Sequence, residues 1–159
     1  HSFRRVLFRS KSLLTVCLWL NPLVSETNKV WLEYGVGASK FSFEGNTSAL
    51  TFYTNNGAAI TTSFTAATWA HVALRLDGTN KKIYKNGTEV QSTAFSAALQ
   101  AGTGFVLGGR TVSLSTNSRF DDLRIYDHVL TPTEIATLAA GGEIGSNPIK
   151  TLLQHGVFC

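Results

Sequence analysis

Two adjacent acidic residues, Asp121 and Asp122, lie in the segment FDDLRIYD of a chain in which only 15% of residues are charged. An extended strand points adjacent side chains to opposite faces, so both carboxylates reach one ion only where a β-bulge intervenes. A calcium ion takes about six to eight oxygen ligands, which one carboxylate and nearby loop carbonyls would have to supply. The alternative is that one acid accepts hydrogen bonds from loop amides while the other pairs with Arg124 or Arg119.

The remaining carboxylates do not have the spacing that glycoside hydrolysis requires. A retaining mechanism needs two carboxyl groups about 5 Å apart, whereas the six Glu residues are scattered through the chain, at positions 26, 33, 44, 89, 134 and 143. Neither Gly-x-Ser-x-Gly nor His-Glu-x-x-His occurs, and His71 has no nucleophile motif nearby. The sequence therefore predicts a protein that is not an enzyme, with no catalytic residues.

Aromatic and amide side chains provide the chemistry for glycan recognition. A sugar stacks its apolar face on an aromatic ring and directs its hydroxyl groups to short polar side chains. The predicted ligand-binding aromatic residues are Trp31, Tyr34, Tyr53 and Tyr84, and the predicted hydrogen-bonding partners are Asn55, Asn56, Asn80 and Arg110. Core packing is the alternative for each aromatic residue. Trp19 and Trp69 are assigned to the core, because each lies within a strongly apolar strand.

The elements that must position these residues are short strands. From Leu13 onward, turn residues interrupt alternating segments roughly every eight to twelve positions, the spacing of an all-β sandwich or barrel. The segment Leu14–Leu20 alternates Leu and Val with Thr, Cys and Trp, which predicts a central strand buried on both faces. Asn86-Gly87 is a strong hairpin signal, because both residues tolerate positive φ.

Two further segments have clear periodicity. In Trp69–Asp77, Val72, Leu74 and Leu76 should face the core, with Trp69, His71, Ala73 and Arg75 on the opposite face. In Phe120–Tyr126, the even-numbered residues Phe120, Asp122, Arg124 and Tyr126 should share one face. A short helix should follow, with Thr131 as N-cap, Pro132 at the first position, Glu134 completing a capping box and Gly141-Gly142 ending it.

Four motifs in this order resemble those of concanavalin A-like jelly-roll domains of the laminin G-like kind. They are LTVCLWLNP (14–22), TWAHVALRLDG (68–78), KIYKNGTEV (82–90) and the strand-to-helix segment 120–142. The resemblance implies an all-β, two-sheet antiparallel jelly-roll sandwich with one short C-terminal helix, expected to pack at an edge. Many relatives carry calcium near the last strand, which extends by resemblance to Asp121 or Asp122.

The domain is predicted to span residues 13–142. Residues 1–12 lack the strand alternation of the later segments and are interpreted as an extension, and residues 143–159 as a linker or the start of a following segment. The chain is therefore expected to be a piece of a longer protein whose first strand is lost or replaced. Cys17 and Cys159 could form a bridge, but a core thiol and an unrelated terminal one are favoured.

The net charge of +4 arises at the N-terminus. Four basic residues and no acidic residue fall within the first eleven positions, which leaves ten basic and ten acidic residues in the rest. A neutral domain offers no stripe for phosphate groups, which argues against nucleic-acid binding. No hydrophobic run is long enough for a membrane span.

The resemblance implies a non-catalytic recognition module that binds glycan or a surface protein. It would belong, with neighbouring domains, to a larger secreted, cell-surface or virion-surface protein. Two alternatives stay open: a structural spacer in an adhesin or fibre protein, and an accessory binding domain of a glycoside hydrolase.

Overall fold

Two antiparallel sheets pack face to face in the computed structural model. It describes residues 12–24, 27–34, 41–46, 48–54, 57–97, 99, 105–109, 116–148, 150–152 and 156–158. The strands are β1 Leu13–Pro22, β2 Thr27–Tyr34, β3 Phe41–Asn46, β4 Ala49–Thr54, β5 Gly57–Ser63, β6 Ala70–Asp77, β7 Asn80–Lys85, β8 Thr88–Ala94, β9 Phe105–Leu107, β10 Ser118–Tyr126, β11 Lys150–Leu152 and β12 Gly156–Phe158. The helix α1 is Pro132–Ala139.

The seven-stranded sheet has the order β11-β10-β1-β6-β7-β8, with β12 also paired to β10, and the five-stranded sheet has the order β5-β4-β3-β2-β9. Strands β2 to β5 pair in chain order, as do β6 to β8, whereas β1 pairs with the remote strands β10 and β6, and β9 pairs with the remote strand β2. The predicted two-sheet antiparallel jelly-roll sandwich with one short helix is confirmed.

Strand β1 is buried on both faces, as its sequence predicts. Leu14, Val16, Leu18 and Leu20 pack in the hydrophobic cluster between the sheets. On the opposite face, Cys17 belongs to a second cluster beneath α1, and burial raises the pKa of its thiol to about 12. A strand of this kind belongs at the centre of a sheet, and β1 does lie between β10 and β6.

A β-bulge interrupts the pairing of β1 with β10. Cys17 pairs with Arg124 and Trp19 pairs with Asp121, so one residue of β1 faces two residues of β10. Asp122, one of those two, has a φ of +46°, the left-handed conformation that Asp adopts more readily than most residues.

The bulge changes which side chains of β10 share a face. Phe120, Leu123 and Ile125 all enter the core between the sheets, whereas Tyr126 packs beneath α1. The prediction that Phe120 shares a face with Asp122, Arg124 and Tyr126 is therefore wrong, because the extra residue shifts the alternation by one position.

The helix has the predicted termini. The Thr131 hydroxyl accepts from the Glu134 backbone N–H at 3.2 Å, and the Thr131 N–H donates to the Glu134 carboxylate at 2.8 Å. Gly141 follows the helix with a φ of +78°. These contacts confirm the capping box and the glycine stop.

The position of α1 differs from the expectation that it packs at an edge. Its buried residues Ile135 and Leu138 lie in one cluster with Cys17, Ala73 and side chains of β7 and β10. Because β1 and β6 are central strands, α1 covers the middle of the sheet's outer face. The small residues Cys17 and Ala73 leave room for the helix there.

A single buried hydroxyl holds the turn that leads into α1. Thr15 Oγ1 donates to the His128 carbonyl at 3.0 Å and accepts from the Leu130 N–H at 3.0 Å. Thr15 is thereby bound to residues more than a hundred positions away. This contact fixes where the chain leaves β10 and crosses over the sheet.

Side-chain hydrogen bonds connect the edge strand β5 to β8 and β7 of the other sheet. The Thr61 backbone N–H donates to Gln91 Oε1 of β8 at 2.5 Å, and Lys85 Nζ of β7 donates to the Ser63 carbonyl at 2.5 Å. These side-chain partners occupy backbone groups of β5 that could otherwise pair with another chain.

The described C-terminal residues also contribute to the seven-stranded sheet. Strand β11 pairs with Leu123–Ile125, and β12 pairs with Ser118–Phe120. Part of the segment interpreted as a linker thus continues the sheet beyond β10.

One charged side chain lies inside the sandwich. Lys81 has no exposed surface. Its Nζ donates to Thr54 Oγ1 of the other sheet at 2.9 Å and lies 5.6 Å and 5.5 Å from the ring centres of Phe52 and Phe95. Among the described residues it has no acidic partner. Burial consequently lowers the pKa of Lys81 to about 8.

Lys81→Met should stabilise the protein at pH 7 by about 1–3 kcal/mol, because an apolar side chain of similar length replaces a buried charge that lacks an acidic partner. The wild-type folded state gives up the Lys81 proton near pH 8, whereas the unfolded chain holds it to about 10.5. Wild-type stability should therefore gain a contribution as the pH rises from 8 to 10.5.

Chemical denaturation of both proteins at pH 7, 9 and 10.5 measures this effect. The advantage of the Lys81→Met variant should shrink as the pH rises, since only the wild type gains the contribution. An advantage that is independent of pH would contradict the expectation.

Candidate functional site

The structure separates the aromatic residues that the sequence assigned to ligand binding. Trp31 is fully buried between the sheets. Its indole Nε1 donates to Thr116 Oγ1 at 2.9 Å, and the ring lies directly on Gly45, where any side chain would collide with it. Trp31 therefore packs in the core and presents no ring face to a ligand, which is the alternative that the sequence left open.

Tyr34 and Tyr84 are also buried. Tyr34 packs against Phe41 between the sheets. Tyr84 lies beneath α1, where its hydroxyl donates to Glu89 Oε2 at 2.9 Å and accepts from Arg75 at 3.3 Å. Both rings are enclosed by other side chains and offer no surface for stacking.

Tyr53 is the predicted aromatic residue that the structure leaves accessible, with 39% of its surface exposed. It lies on β4, and its neighbours Phe52 and Leu50 alternate with it into the core. Its ring therefore projects from the outer face of the five-stranded sheet. The predicted partners Asn55, Asn56 and Arg110 lie outside the described residues. Asn80 lies in the other sheet, on β7, where its amide donates to Thr79 Oγ1.

Short polar side chains surround Tyr53 on this face, in two rows that follow the strand pairing. In the first row Glu33 pairs with Ser42, which pairs with Tyr53. In the second row Glu44 pairs with Thr51, which pairs with Thr61. The six residues Glu33, Ser42, Glu44, Thr51, Tyr53 and Thr61 are called the Tyr53 face below.

Hydrogen bonds within the Tyr53 face hold its polar groups in place. The buried Ser42 hydroxyl donates to Glu44 Oε1 at 2.7 Å, and the Thr51 and Thr61 hydroxyls lie 3.3 Å apart. Tyr53 and Thr61 are exposed and Glu44 is half-buried. An accessible ring thus lies among fixed hydroxyl and carboxylate groups.

Asp122 makes the ion pair with Arg124 that the alternative to a metal site predicts, and Asp121 accepts from a backbone amide of the bulge. Asp121 Oδ1 accepts from the Asp122 backbone N–H at 2.8 Å. Asp122 Oδ1 forms an ion pair with Arg124 Nε at 2.7 Å, and Arg124 also binds the Glu143 carboxylate at 3.0 Å. These two carboxylates raise the pKa of the Arg124 guanidinium. Arg124 thereby ties the bulge to the segment after α1.

The described residues contain no group of three or more His, Cys, Asp or Glu side chains arranged to hold a metal ion. Asp121 and Asp122 could supply carboxylate oxygens to calcium, but Asp122 would have to share its oxygen with Arg124. Calcium binding at these residues stays a prediction.

Two residues that the sequence did not assign to recognition lie at one end of the seven-stranded sheet. Trp69 is 40% exposed, so its assignment to the core is wrong. It precedes β6 rather than lying within it, since β6 begins at Ala70. Ala67, two residues earlier, has a φ of +57°. Trp19 is half-buried on the outer face, edge-on to His71 with 5.5 Å between ring centres.

A laminin G-like sequence profile of the Concanavalin A-like lectin/glucanases superfamily matches residues 2–136. The chain belongs to this superfamily. The match begins within the residues interpreted as an extension and ends inside α1. No curated protein matches this concanavalin A-like chain in sequence.

Solved structures with the same fold include several binding domains. Domain 4 of AbnA, a GH43 extracellular arabinanase from Geobacillus stearothermophilus in complex with arabinotriose, has a TM-score of 0.69 and 24% identity, over 83% of this chain and 68% of that one. The native heptameric SAP-like pentraxin from Limulus polyphemus has a TM-score of 0.67 and 15% identity, over 96% and 84%.

Botulinum neurotoxin binding domains are also similar. That of serotype DC, in complex with rat synaptotagmin II, has a TM-score of 0.69 and 15% identity, over 81% of this chain and 35% of that one. The chain thus spans about a third of the toxin domain's length. At these identities the similarity concerns the fold alone. In the part of the chain that the structure describes, no helix is long and apolar enough to cross a membrane.

Substitutions at Asp122 should separate its ion pair from its backbone conformation. Asp122→Asn removes the charge but keeps a residue that tolerates positive φ, so we expect a loss of about 0.5–1.5 kcal/mol. Asp122→Val removes the same charge and adds about 1–2 kcal/mol of backbone strain at a φ of +46°. Urea denaturation of the two variants compares these effects. Equal losses would show that the left-handed conformation is not retained.

Acid should destabilise the protein through His71. Burial lowers the pKa of His71 from 6.5 to about 4, so its contribution to stability is complete above pH 6.5 and is lost as the pH falls toward 4. The loss should reach about 2–3 kcal/mol. His71→Leu should flatten this part of the stability profile, measured by denaturation between pH 7 and 4.

Proposed function

We propose that this concanavalin A-like domain is a non-catalytic recognition module that binds glycan on the Tyr53 face. The observation that carries the proposal is the exposed Tyr53 ring among hydroxyl and carboxylate groups that are already held by hydrogen bonds. A sugar needs both features, because it has an apolar ring face and polar hydroxyl groups at its edge.

The geometry favours a ligand that lies across the strands. Thr61 and Glu44 lie in the row next to Tyr53, on opposite sides of Thr51. A sugar ring stacked on Tyr53 would direct its hydroxyl groups toward these side chains. Hydrogen bonds that a carboxylate accepts from hydroxyl groups are short and strong, so Glu44 would contribute orientation as well as affinity.

Preorganisation supports recognition at this face. Ser42 and Thr51 are buried members of the same rows, so the Glu44 and Thr61 side chains they contact lose little freedom when a ligand binds. Fixing side chains before binding reduces the entropic cost of association. A face that contacts only solvent would gain nothing from side chains held in fixed positions.

The structural neighbours support a binding role. One of them is an extracellular arabinanase domain in complex with arabinotriose, and another is a toxin binding domain in complex with a synaptotagmin. The scattered Glu residues of this chain offer no paired acids for hydrolysis. We extend to this domain a place in a secreted or cell-surface protein, where glycans and surface proteins are its partners.

Tyr53→Ala should weaken glycan binding about tenfold or more, because the stacking surface is lost. Tyr53→Phe keeps the ring and should stay within about threefold of the wild type. Val90→Ala is the matched control, since Val90 is 44% exposed on a strand of the other sheet. A glycan array that includes arabinotriose identifies a ligand, and calorimetry on the three variants measures its affinity.

Each outcome decides between the candidate functions. If Tyr53→Ala binds glycan as tightly as the wild type, the ligand binds elsewhere on the domain. If the wild type binds no glycan on the array, the structural spacer is favoured. Repeating the titration with EDTA tests the calcium prediction, because loss of binding that Asp122→Asn reproduces would assign calcium to Asp121 and Asp122.

A further inference from the structure

A second cluster of aromatic and polar side chains lies on the outer face of the seven-stranded sheet, opposite in the molecule to the Tyr53 face. Trp19 is at its centre, with Asn21 two residues farther along the same face of β1 and His71 directly across on β6. Asp121 lies across from Trp19 on β10, and Trp69 precedes β6 at the same end. These five residues are called the Trp19 cluster.

Two buried polar atoms in the Trp19 cluster have no hydrogen-bond partner among the described residues. They are Asn21 Oδ1 and His71 Nδ1, and both side chains are almost completely enclosed. An unpaired polar atom in a protein interior destabilises the fold and is uncommon in native proteins. Two such atoms beside one indole ring therefore require an explanation.

The Trp19 ring lies beside both side chains. It packs edge-on against His71, and Asn21 follows it on the same face of the strand. The ring is only half-buried, so a ligand can reach the cluster from solvent at the Trp19 ring. The exposed Trp69 ring at the same end offers a second apolar surface.

The helix packs mainly on other residues of this face. Its cluster contains Cys17, Ala73 and Tyr84, one row from Trp19 and His71 toward the other end of β1, and Tyr126, which pairs with Thr15 a further row away. Ile135 and Leu138 are engaged with those residues. The Trp19 cluster thus lies beside α1, and its five residues are distinct from the cluster beneath the helix.

We propose that the Trp19 cluster is a second binding site, for a single sugar unit, so that the module binds glycan on both of its outer faces. The indole rings of Trp19 and Trp69 receive the apolar face of the sugar. A hydroxyl group donates to Asn21 Oδ1, and the same or a neighbouring hydroxyl pairs with His71 Nδ1. The ligand thereby satisfies both atoms that the protein leaves unpaired.

Substitution of Asn21 should affect the stability of the free protein and ligand binding in opposite directions. If the unpaired atoms serve a ligand, Asn21→Leu should make the free protein more stable, because the buried polar atom is gone, while it abolishes binding at the cluster. A purely structural asparagine, bonded to its surroundings, would behave oppositely and lose stability when replaced.

Titrations with arabinotriose, cellotriose and chitotriose, followed by tryptophan fluorescence and calorimetry, test the site. Trp31 is buried between the sheets, so a fluorescence response reports on Trp19 and Trp69. With at least one of these probes, Tyr53→Ala should retain the response and bind one ligand per chain. Asn21→Leu and Trp69→Ala should lose the response and weaken this binding about tenfold or more. Val24→Ala, 45% exposed near the same end, is the control.

The experiment can overturn the second site without affecting the proposal for the Tyr53 face. A fluorescence response that persists in both Asn21→Leu and Trp69→Ala would overturn the second site and leave the Tyr53 face untouched. The absence of a response to all three probes in Tyr53→Ala would also overturn it. Because Trp69 is exposed, Trp69→Ala should fold, and it therefore tests the second site even if Asn21→Leu does not fold.

Discussion

Burial of β1 on both faces is the constraint on which the rest of the structure depends. One face supplies four aliphatic side chains to the core between the sheets, and the other carries Cys17 beneath α1. A strand that must be covered twice requires a second sheet on one side and a helix on the other. The buried Thr15 hydroxyl completes this arrangement, because it binds the turn that brings α1 across the sheet.

Irregular pairing decides where the polar residues lie on this scaffold. The bulge in β10 turns Asp122 toward Arg124 and returns Leu123 to the core. A similar register shift in β2 places Trp31 and Leu32, which are adjacent, together in the core. Each bulge costs a regular pair of hydrogen bonds and re-aims the side chains that follow it.

The two outer faces of the sandwich therefore carry different side chains. The seven-stranded sheet carries α1 over its centre and the Trp19 cluster beside it, whereas the five-stranded sheet carries the hydrogen-bonded polar rows around Tyr53. On the five-stranded sheet, neighbouring side chains fix one another, as the Ser42 hydroxyl does for the Glu44 carboxylate. The superfamily defines the scaffold, and these particular side chains define what this member can bind.

Local patterns in the sequence were sufficient for the strands, the Asn86-Gly87 hairpin and the Thr131 capping box, because each follows from periodicity or from the conformation of a few neighbouring residues. The choice of a two-sheet sandwich over a barrel came from the resemblance of four motifs to concanavalin A-like domains. Long-range packing decided the rest. Alternation could not place Phe120 correctly, since a bulge depends on the partner strand, and apolar neighbours could not show that Trp69 precedes its strand and stays exposed. Tyr34, Tyr53 and Tyr84 look alike in sequence, yet only tertiary contacts enclose two of them and leave the third on the surface.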